Sequence, residues 1–174
     1  MGVAPQRRGT AVSALALVFV LASCATDRGG PLPNVLHVSI PINRAPDEVY
    51  AFASDPRNLP RWATGLARSD VRRDGDSWVV DSPMGSVRVR FAERNDLGVL
   101  DHDVTLESGE TIHNPLRVLP RGDGSEVVFT LFRRQGVTDE ALAGDRAAVE
   151  EDLKTLKRLL EGGTATQGVP GQRD

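Results

Sequence analysis

The sequence contains little cysteine and little histidine, and it lacks an excess of positive charge. Its single cysteine, Cys24, excludes an intramolecular disulfide and a metal cluster held by several thiolates. The three histidines, His37, His102 and His113, leave little room for a histidine-based metal site. Lys and Arg number 21 against 24 Asp and Glu, so the net charge is -3. Because nucleic-acid binding needs clustered Lys and Arg, we expect no nucleic-acid partner.

Motifs of common catalytic centres are missing as well. The chain has no nucleophile elbow of the GxSxG type, no glycine loop that would hold a phosphate and no His-x-x-Glu-His metal motif. We therefore predict neither a metal nor a cofactor. What is present is an ordinary globular composition, with 40% hydrophobic and 26% charged residues. This composition argues against wholesale disorder, and 174 residues suit one domain with a sizeable core.

The first 24 residues carry the pattern of a secretory signal. Arg7 and Arg8 form its positive start, and residues 11–22 form an apolar run shorter than the roughly 20 residues that span a bilayer. The run ends with LASC, which resembles the lipobox of bacterial lipoproteins. In that family the cysteine is lipidated and the signal is cut just before it. An ordinary signal peptide with an incidental cysteine is the alternative, and either Sec or twin-arginine export fits.

This resemblance divides the chain into four parts. It implies a signal peptide over residues 1–23 and a lipid anchor at Cys24, which would hold the exported protein at a membrane of the bacterial cell envelope. Residues 24–34 are short, polar and rich in Gly and Pro, as in a flexible tether. Residues 35–161 carry the regular hydrophobic patterns of a folded domain, and residues 162–174 are predicted to be a disordered tail.

Hydrophobic periodicity predicts the order strand, two short helices, six strands, long helix. Residues 35–42 are rich in β-branched residues, and Pro46 suits the first turn of a helix. A second short helix is predicted from Pro56 to Ala63. Alternating runs separated by glycine-containing turns then indicate antiparallel hairpins. From Thr138 onward, leucines recur at helical spacing over about twenty-two residues.

These elements predict an α+β fold of the helix-grip type. A curved antiparallel sheet of about seven strands would wrap around the long C-terminal helix, which is the simplest way to bury both apolar surfaces. Such a sheet need not close tightly on its helix. The gap between them then becomes a ligand cavity.

Three stretches carry a family resemblance: residues 37–52, residues 55–62 and residues 124–131. Together with the element order they resemble the SRPBCC superfamily, also called START-like or helix-grip, and within it the polyketide cyclase/dehydrase and lipid-transport branch. The resemblance implies this fold for residues 35–161 and a cavity for a hydrophobic small molecule, such as a lipid, isoprenoid or polyketide. The superfamily contains carriers, cyclases, hormone receptors and co-chaperone domains, so fold alone leaves the function open.

His102 is the most notable candidate for a site. It alternates with Leu100 and Val104 on the apolar side of its predicted strand, so it should point under the closing helix. A neutral imidazole there suits the orientation of a polar ligand head, and it is a weak candidate for acid–base catalysis. The alternative is a histidine whose partner is the backbone or Asn114. Asn114 also lies on the apolar face of its strand, and a buried amide needs a partner.

Larger side chains complete the predicted ligand-binding set, and ordinary core packing is the alternative for each aromatic one. They are Tyr50, Trp62, Trp78, Phe91, Val104 and Phe132. Three functions remain open: a membrane-anchored carrier of a hydrophobic molecule, a cyclase or dehydratase that uses His102, and a protein-interaction module of the envelope with an unknown partner. The sequence favours the carrier, because Asp101 and Asp103 should face solvent and leave His102 without a catalytic partner.

Overall fold

The computed structural model describes residues 34–162. The predicted signal peptide, Cys24, most of the tether and residues 163–174 lie outside the described residues, so those parts stay predictions. None of the helices within residues 34–162 is long and apolar enough to cross a membrane. The strands are β1 Val35–Ile42, β2 Val71–Asp74, β3 Ser77–Ser82, β4 Gly85–Phe91, β5 His102–Thr105, β6 Thr111–Asn114, β7 Leu116–Arg121 and β8 Gly124–Phe132.

The helices begin where the sequence predicts. Helix α1 spans Pro46–Ala53, with proline and two acidic residues in its first turn. A 3-10 turn over Pro56–Asn58 and helix α2, Leu59–Trp62, form the predicted corner. Helix α3 spans Asp139–Gly162, and its first turn is capped where the Ala141 amide donates to Thr138 Oγ1 at 3.2 Å.

The strands form two antiparallel sheets. One has the order β1-β8-β7 and the other the order β2-β3-β4-β5-β6. Residues 98–105 join the two sheets. The Leu100 backbone amide donates to the Leu116 carbonyl of β7 at 2.9 Å, and the strand that follows, β5, pairs with β4 and β6 of the other sheet. With the long helix α3, this arrangement confirms the predicted α+β helix-grip fold.

The sheet differs from the expectation in two respects. The strands form two sheets and not the single curved sheet that the sequence predicts. The sequence predicts about seven strands, but the described residues contain eight, because Pro115 divides one predicted strand into β6 and β7. Proline has no amide hydrogen for the ladder, so β6 pairs with β5 while β7 pairs with β8 in the other sheet. The Pro115 carbonyl keeps its bond and accepts from the Thr130 amide at 2.9 Å.

Helix α3 is packed unevenly along its length. Leu153 and Leu156, in its second half, are at most 1% exposed, and the helix packs mainly against β1 and α2. Residues 143–148, in its first half, are exposed. The apolar stripe predicted from the sequence is therefore present, with Leu142 at its start also 1% exposed, and the exposed residues 143–148 lie between its two buried ends.

Polar contacts fix the C-terminal end of α3 to the end of β1. Lys157 Nζ donates to the Pro41 carbonyl at 2.6 Å. Glu161 Oε1 accepts from the backbone amide of Asn43 at 2.7 Å and from Lys157 Nζ at 2.8 Å. The bond from the Asn43 amide is the main reason that the pKa of Glu161 lies below its ordinary value. These contacts hold this end of the helix against the end of β1.

Two glycines allow the fold to be tested with a matched pair of variants. Gly98 and Gly75 have φ of 69° and 65°, which disfavours alanine at both. A Cβ at Gly98 would overlap the Val118 carbonyl oxygen, whereas a Cβ at Gly75 would meet nothing within 4 Å. We expect Gly75→Ala to lower the free energy of unfolding by about 1 kcal/mol. Gly98→Ala should cost roughly 1–3 kcal/mol more.

Urea unfolding of both variants and the wild type measures these costs. Equal losses for Gly75→Ala and Gly98→Ala would contradict the close approach of residues 98–100 to β7.

Candidate ligand-binding site

A cavity of about 230 Å³ lies between α3, α2 and strands β4 to β8. This volume is somewhat below the range of small-molecule sites, which begins at about 300 Å³. Most of its wall is apolar. The apolar lining residues are Leu59, Trp62, Ala63, Leu66, Met84, Phe91, Val104, Ile112, Leu116, Phe129, Leu131, Phe132, Ala148, Val149 and Leu153. Met84, Phe132 and Ala148 are the exposed members of this wall, and we call them the mouth of the cavity.

Six of the eight predicted ligand-binding residues lie in this wall. They are Trp62, Phe91, His102, Val104, Asn114 and Phe132. They belong to α2, β4, β5, β6 and β8, so the fold brings together residues that are far apart in the sequence. That any of them contacts a ligand stays a prediction.

Tyr50 and Trp78 lie away from the cavity wall. Tyr50 is on α1, which packs against β7 and β8, and it lines a small separate recess. Its hydroxyl accepts from the backbone amide of Asn95 at 2.9 Å. Trp78 is on β3, where it pairs with Val89 and packs half-buried against the core. Neither position follows from strand alternation alone, since both depend on which elements pack together.

His102 lies inside the wall at 5% exposure, in register with Phe91 on β4 and Asn114 on β6. Its ring centroid is 5.2 Å from that of Phe91 and 6.2 Å from that of Phe129. Nδ1 is 3.1 Å from the Leu100 carbonyl oxygen. A carbonyl only accepts, so in the neutral ring the proton is on Nδ1 and Nε2 is an acceptor. Of the two partners that the sequence leaves open for His102, the structure shows the backbone one, the Leu100 carbonyl, and not Asn114.

Burial sets the charge of His102. Desolvation lowers the pKa of the imidazole from 6.5 to about 4, against smaller opposing effects of the Leu100 carbonyl and the Asp103 charge. The ring is therefore neutral at neutral pH. A neutral acceptor in an apolar wall is suited to hold an uncharged polar group of a ligand.

The neighbouring carboxylates of β5 are held by other partners. Asp103 accepts from His113 Nδ1 at 2.8 Å and from Arg90 at 3.4 Å. The bond from His113 is the main cause that lowers the pKa of Asp103. Asp101 forms an ion pair with Arg117 and accepts from the backbone. Neither carboxylate hydrogen-bonds the His102 ring, so the described residues contain no Asp–His dyad centred on His102.

Two carboxyl groups of the wall, those of Asp145 and Asp152, are not among the residues predicted from the sequence. Asp152 Oδ1 accepts from Thr64 Oγ1 at 3.2 Å and from the Gly65 amide at 3.3 Å, which ties α3 to the loop after α2. Burial raises the pKa of Asp152, and these hydrogen bonds lower it in part. A signal was available, since Asp152 lies three residues after Val149 and therefore on the apolar stripe of α3.

Trp62 adds a polar atom that has no partner. Its side chain is 5% exposed, and its indole N–H is buried with no hydrogen-bond acceptor among the described residues. Buried donors without a partner are rare, because each costs about 1–3 kcal/mol. This cost makes Trp62 a candidate donor to a bound molecule.

Comparison with known proteins places this cavity in a family. The model of the family described as polyketide cyclase/dehydrase and lipid transport matches residues 35–161. The chain belongs to that family. Its membership confirms the resemblance drawn from residues 37–52, 55–62 and 124–131. Among curated protein sequences, none matches this chain.

Solved structures share the fold of this polyketide cyclase/dehydrase and lipid transport domain. Protein XoxI from Bacillus cereus is 17% identical with a TM-score of 0.61, and the match covers 77% of this chain and 100% of that one. The Aha1 dimer from Colwellia psychrerythraea is 17% identical with a TM-score of 0.60, over 75% of this chain and 98% of that one. The matched part of this chain therefore corresponds to the whole of the XoxI chain.

A third solved structure is longer than the family domain. DynU16, from the dynemicin biosynthetic locus, is 18% identical with a TM-score of 0.60, over 76% of this chain but 49% of that one. At these identities the three structures support the fold of the domain and not a shared ligand.

The low pKa of His102 predicts how the stability of the domain changes with pH. Between pH 6.5 and about 4 the unfolded chain binds a proton at this residue and the folded chain does not. The stability that the folded domain has with a neutral His102 is fully present above pH 6.5. The free energy of unfolding decreases as the pH falls from 6.5 toward 4. The loss amounts to roughly 3 kcal/mol. We expect His102→Phe to remove this part of the pH dependence of the free energy of unfolding.

The exposed His37 provides the control, because His37→Phe changes the same residue type outside the cavity. Denaturant unfolding at several pH values, taken as the difference between each variant and the wild type, isolates the histidine from the carboxyl groups. An identical pH profile for wild type and His102→Phe would show that the ring is not held neutral.

Proposed function

We propose that this protein is a membrane-anchored carrier that holds a hydrophobic small molecule in the cavity between its sheet and α3. The observation that carries this proposal is the apolar wall, which few polar groups interrupt. Binding would be sequestration, since apolar surface removed from water contributes roughly 25 cal/mol per Å². The family description, which includes lipid transport, supports the same function.

The size of the cavity limits which kinds of ligand fit inside it. A volume of about 230 Å³ suits a compact ring system or one short chain better than a lipid with two long chains. The polar atoms of the wall, with His102 and Asn114 among them, would orient a head group. The exposed mouth residues Met84 and Phe132 would let such a molecule enter from an apolar phase.

The position of Asn34 supports the anchor. Its carbonyl accepts from the Arg133 amide at 2.8 Å, directly after Phe132 of the mouth. Asn34 lies ten residues after Cys24, and a chain of that length reaches at most about 33–36 Å when fully extended. A protein exported to the cell envelope and lipidated at Cys24 would therefore hold its cavity mouth near the membrane that supplies or accepts the ligand.

Native mass spectrometry tests the carrier function. The chain beginning at Ala25 is exposed to a lipid extract of its own cell, and we expect an adduct of one mass class. Ala148→Trp should reduce the adduct severalfold, because the new side chain occupies the mouth. Ala147→Trp is the matched control, since Ala147 is also exposed on α3 but is not in the cavity wall.

A bare protein mass in repeated trials would contradict the carrier and direct the search to protein partners. Equal loss of the adduct in both tryptophan variants would place the binding site elsewhere. A ligand whose mass changes during incubation would identify an enzyme.

Fractionation of cells tests the anchor. We expect the wild-type chain in the membrane fraction. The Cys24→Ser variant should appear in the soluble fraction or as a precursor with its signal peptide uncleaved, since a lipidated sulfur is the proposed attachment. Metabolic labelling with an alkyne fatty acid should mark the wild type and not the variant. Label on Cys24→Ser, or an unlabelled wild type, would contradict lipidation at this residue.

A further inference from the structure

Three polar atoms of the cavity wall have unused hydrogen-bonding capacity. His102 Nδ1 is bound to the Leu100 carbonyl, which leaves Nε2 as an acceptor with no partner among residues 34–162. The half-buried Asn114 side-chain amide has no hydrogen bond to another described residue, and the Trp62 indole N–H is buried without one. A purely hydrocarbon ligand would displace water from the first two groups and leave all three without a partner, at a cost in affinity.

The charges of the wall select against an anion. Its carboxyl groups belong to Asp145 and Asp152, and its basic side chains in the described part of the chain are those of His113, which is bound to Asp103, and Arg134. Arg134 donates to Glu110 Oε1 at 2.7 Å, so its charge is already paired. An ionised carboxylate or phosphate head would also meet the lone pair of His102 Nε2, which repels it. Fatty acids in their ionised form are therefore poor candidates.

We infer that the cavity selects an uncharged ligand that carries a hydroxyl group on a compact apolar body, with the hydroxyl donating to His102 Nε2 and its oxygen accepting from the Asn114 amide. His102 and Asn114 are directly opposite each other on β5 and β6, a register that brings their side chains within reach of one oxygen atom. The flanking rings of Phe91 and Phe129 would contact the apolar body. This inference rests on the proposed function and adds the chemical class of the ligand.

Three probes that differ only in the head group test the inference. β-Naphthol donates a hydrogen bond, its methyl ether only accepts one, and β-naphthoate is an anion at neutral pH. Isothermal titration calorimetry measures the Kd of each for the chain beginning at Ala25. We expect β-naphthol to bind roughly 3- to 10-fold more tightly than its methyl ether. β-Naphthoate should bind more weakly than either.

The variants assign the preference to residues. His102→Phe should bind β-naphthol and its methyl ether with equal affinity, while His37→Phe should keep the wild-type preference. If His102→Phe does not fold, Asn114→Leu tests the second contact: it should weaken the binding of β-naphthol and of its methyl ether, because the oxygen of each would accept from the Asn114 side-chain amide, and Asn114 is only half-buried. Far-UV circular dichroism checks the fold of each variant.

The outcomes separate this inference from the proposed function. Equal binding of all three probes to the wild type, or tightest binding of β-naphthoate, would overturn the ligand class and leave the carrier standing. A preference that His102→Phe retains would overturn the role of His102. No binding of any probe would count against the carrier and this inference together.

Discussion

The packing of α3 against β1 is the interaction on which the cavity depends. Leu153 and Leu156 are buried there, and the contacts of Lys157 and Glu161 fix the same end of the helix. The first half of α3 has no comparable contact with the five-stranded sheet. The space between them is therefore a direct result of where the helix is held, and the strands that face it present their apolar side chains to that space.

The buried polar groups of this space follow from the same arrangement. His102 is removed from water by the phenylalanine rings beside it, which keeps its imidazole neutral. The carboxylates next to it in sequence point to the other face of the strand and bind His113, Arg90 and Arg117. Strand alternation thus separates an uncharged interior acceptor from a charged exterior row. That separation favours binding of a neutral molecule over charge-based catalysis.

Much of the fold and part of the site could be predicted from local patterns. Period-two alternation placed His102 and Val104 on the inner face, and helical spacing placed the leucines of α3. Tyr50 and Trp78 could not be assigned in this way, because their surroundings depend on tertiary packing of α1 and β3. Pro115 carried a readable signal for the divided strand, as did Asp152 on the apolar stripe. Cys24 and its lipid stay predictions, since they lie outside residues 34–162.

The contacts of α3 also determine where a molecule can enter the cavity. The helix is held at both ends, by Lys157 and Glu161 near its C-terminus and by the buried Leu142 and the ion pair of Arg133 with Asp139 near its N-terminus. Exchange of a bound molecule would then pass the exposed residues of the middle turns, and the leucine-rich core would remain intact. The rate of exchange is thereby separated from the global stability of the domain, so one can change in evolution without the other.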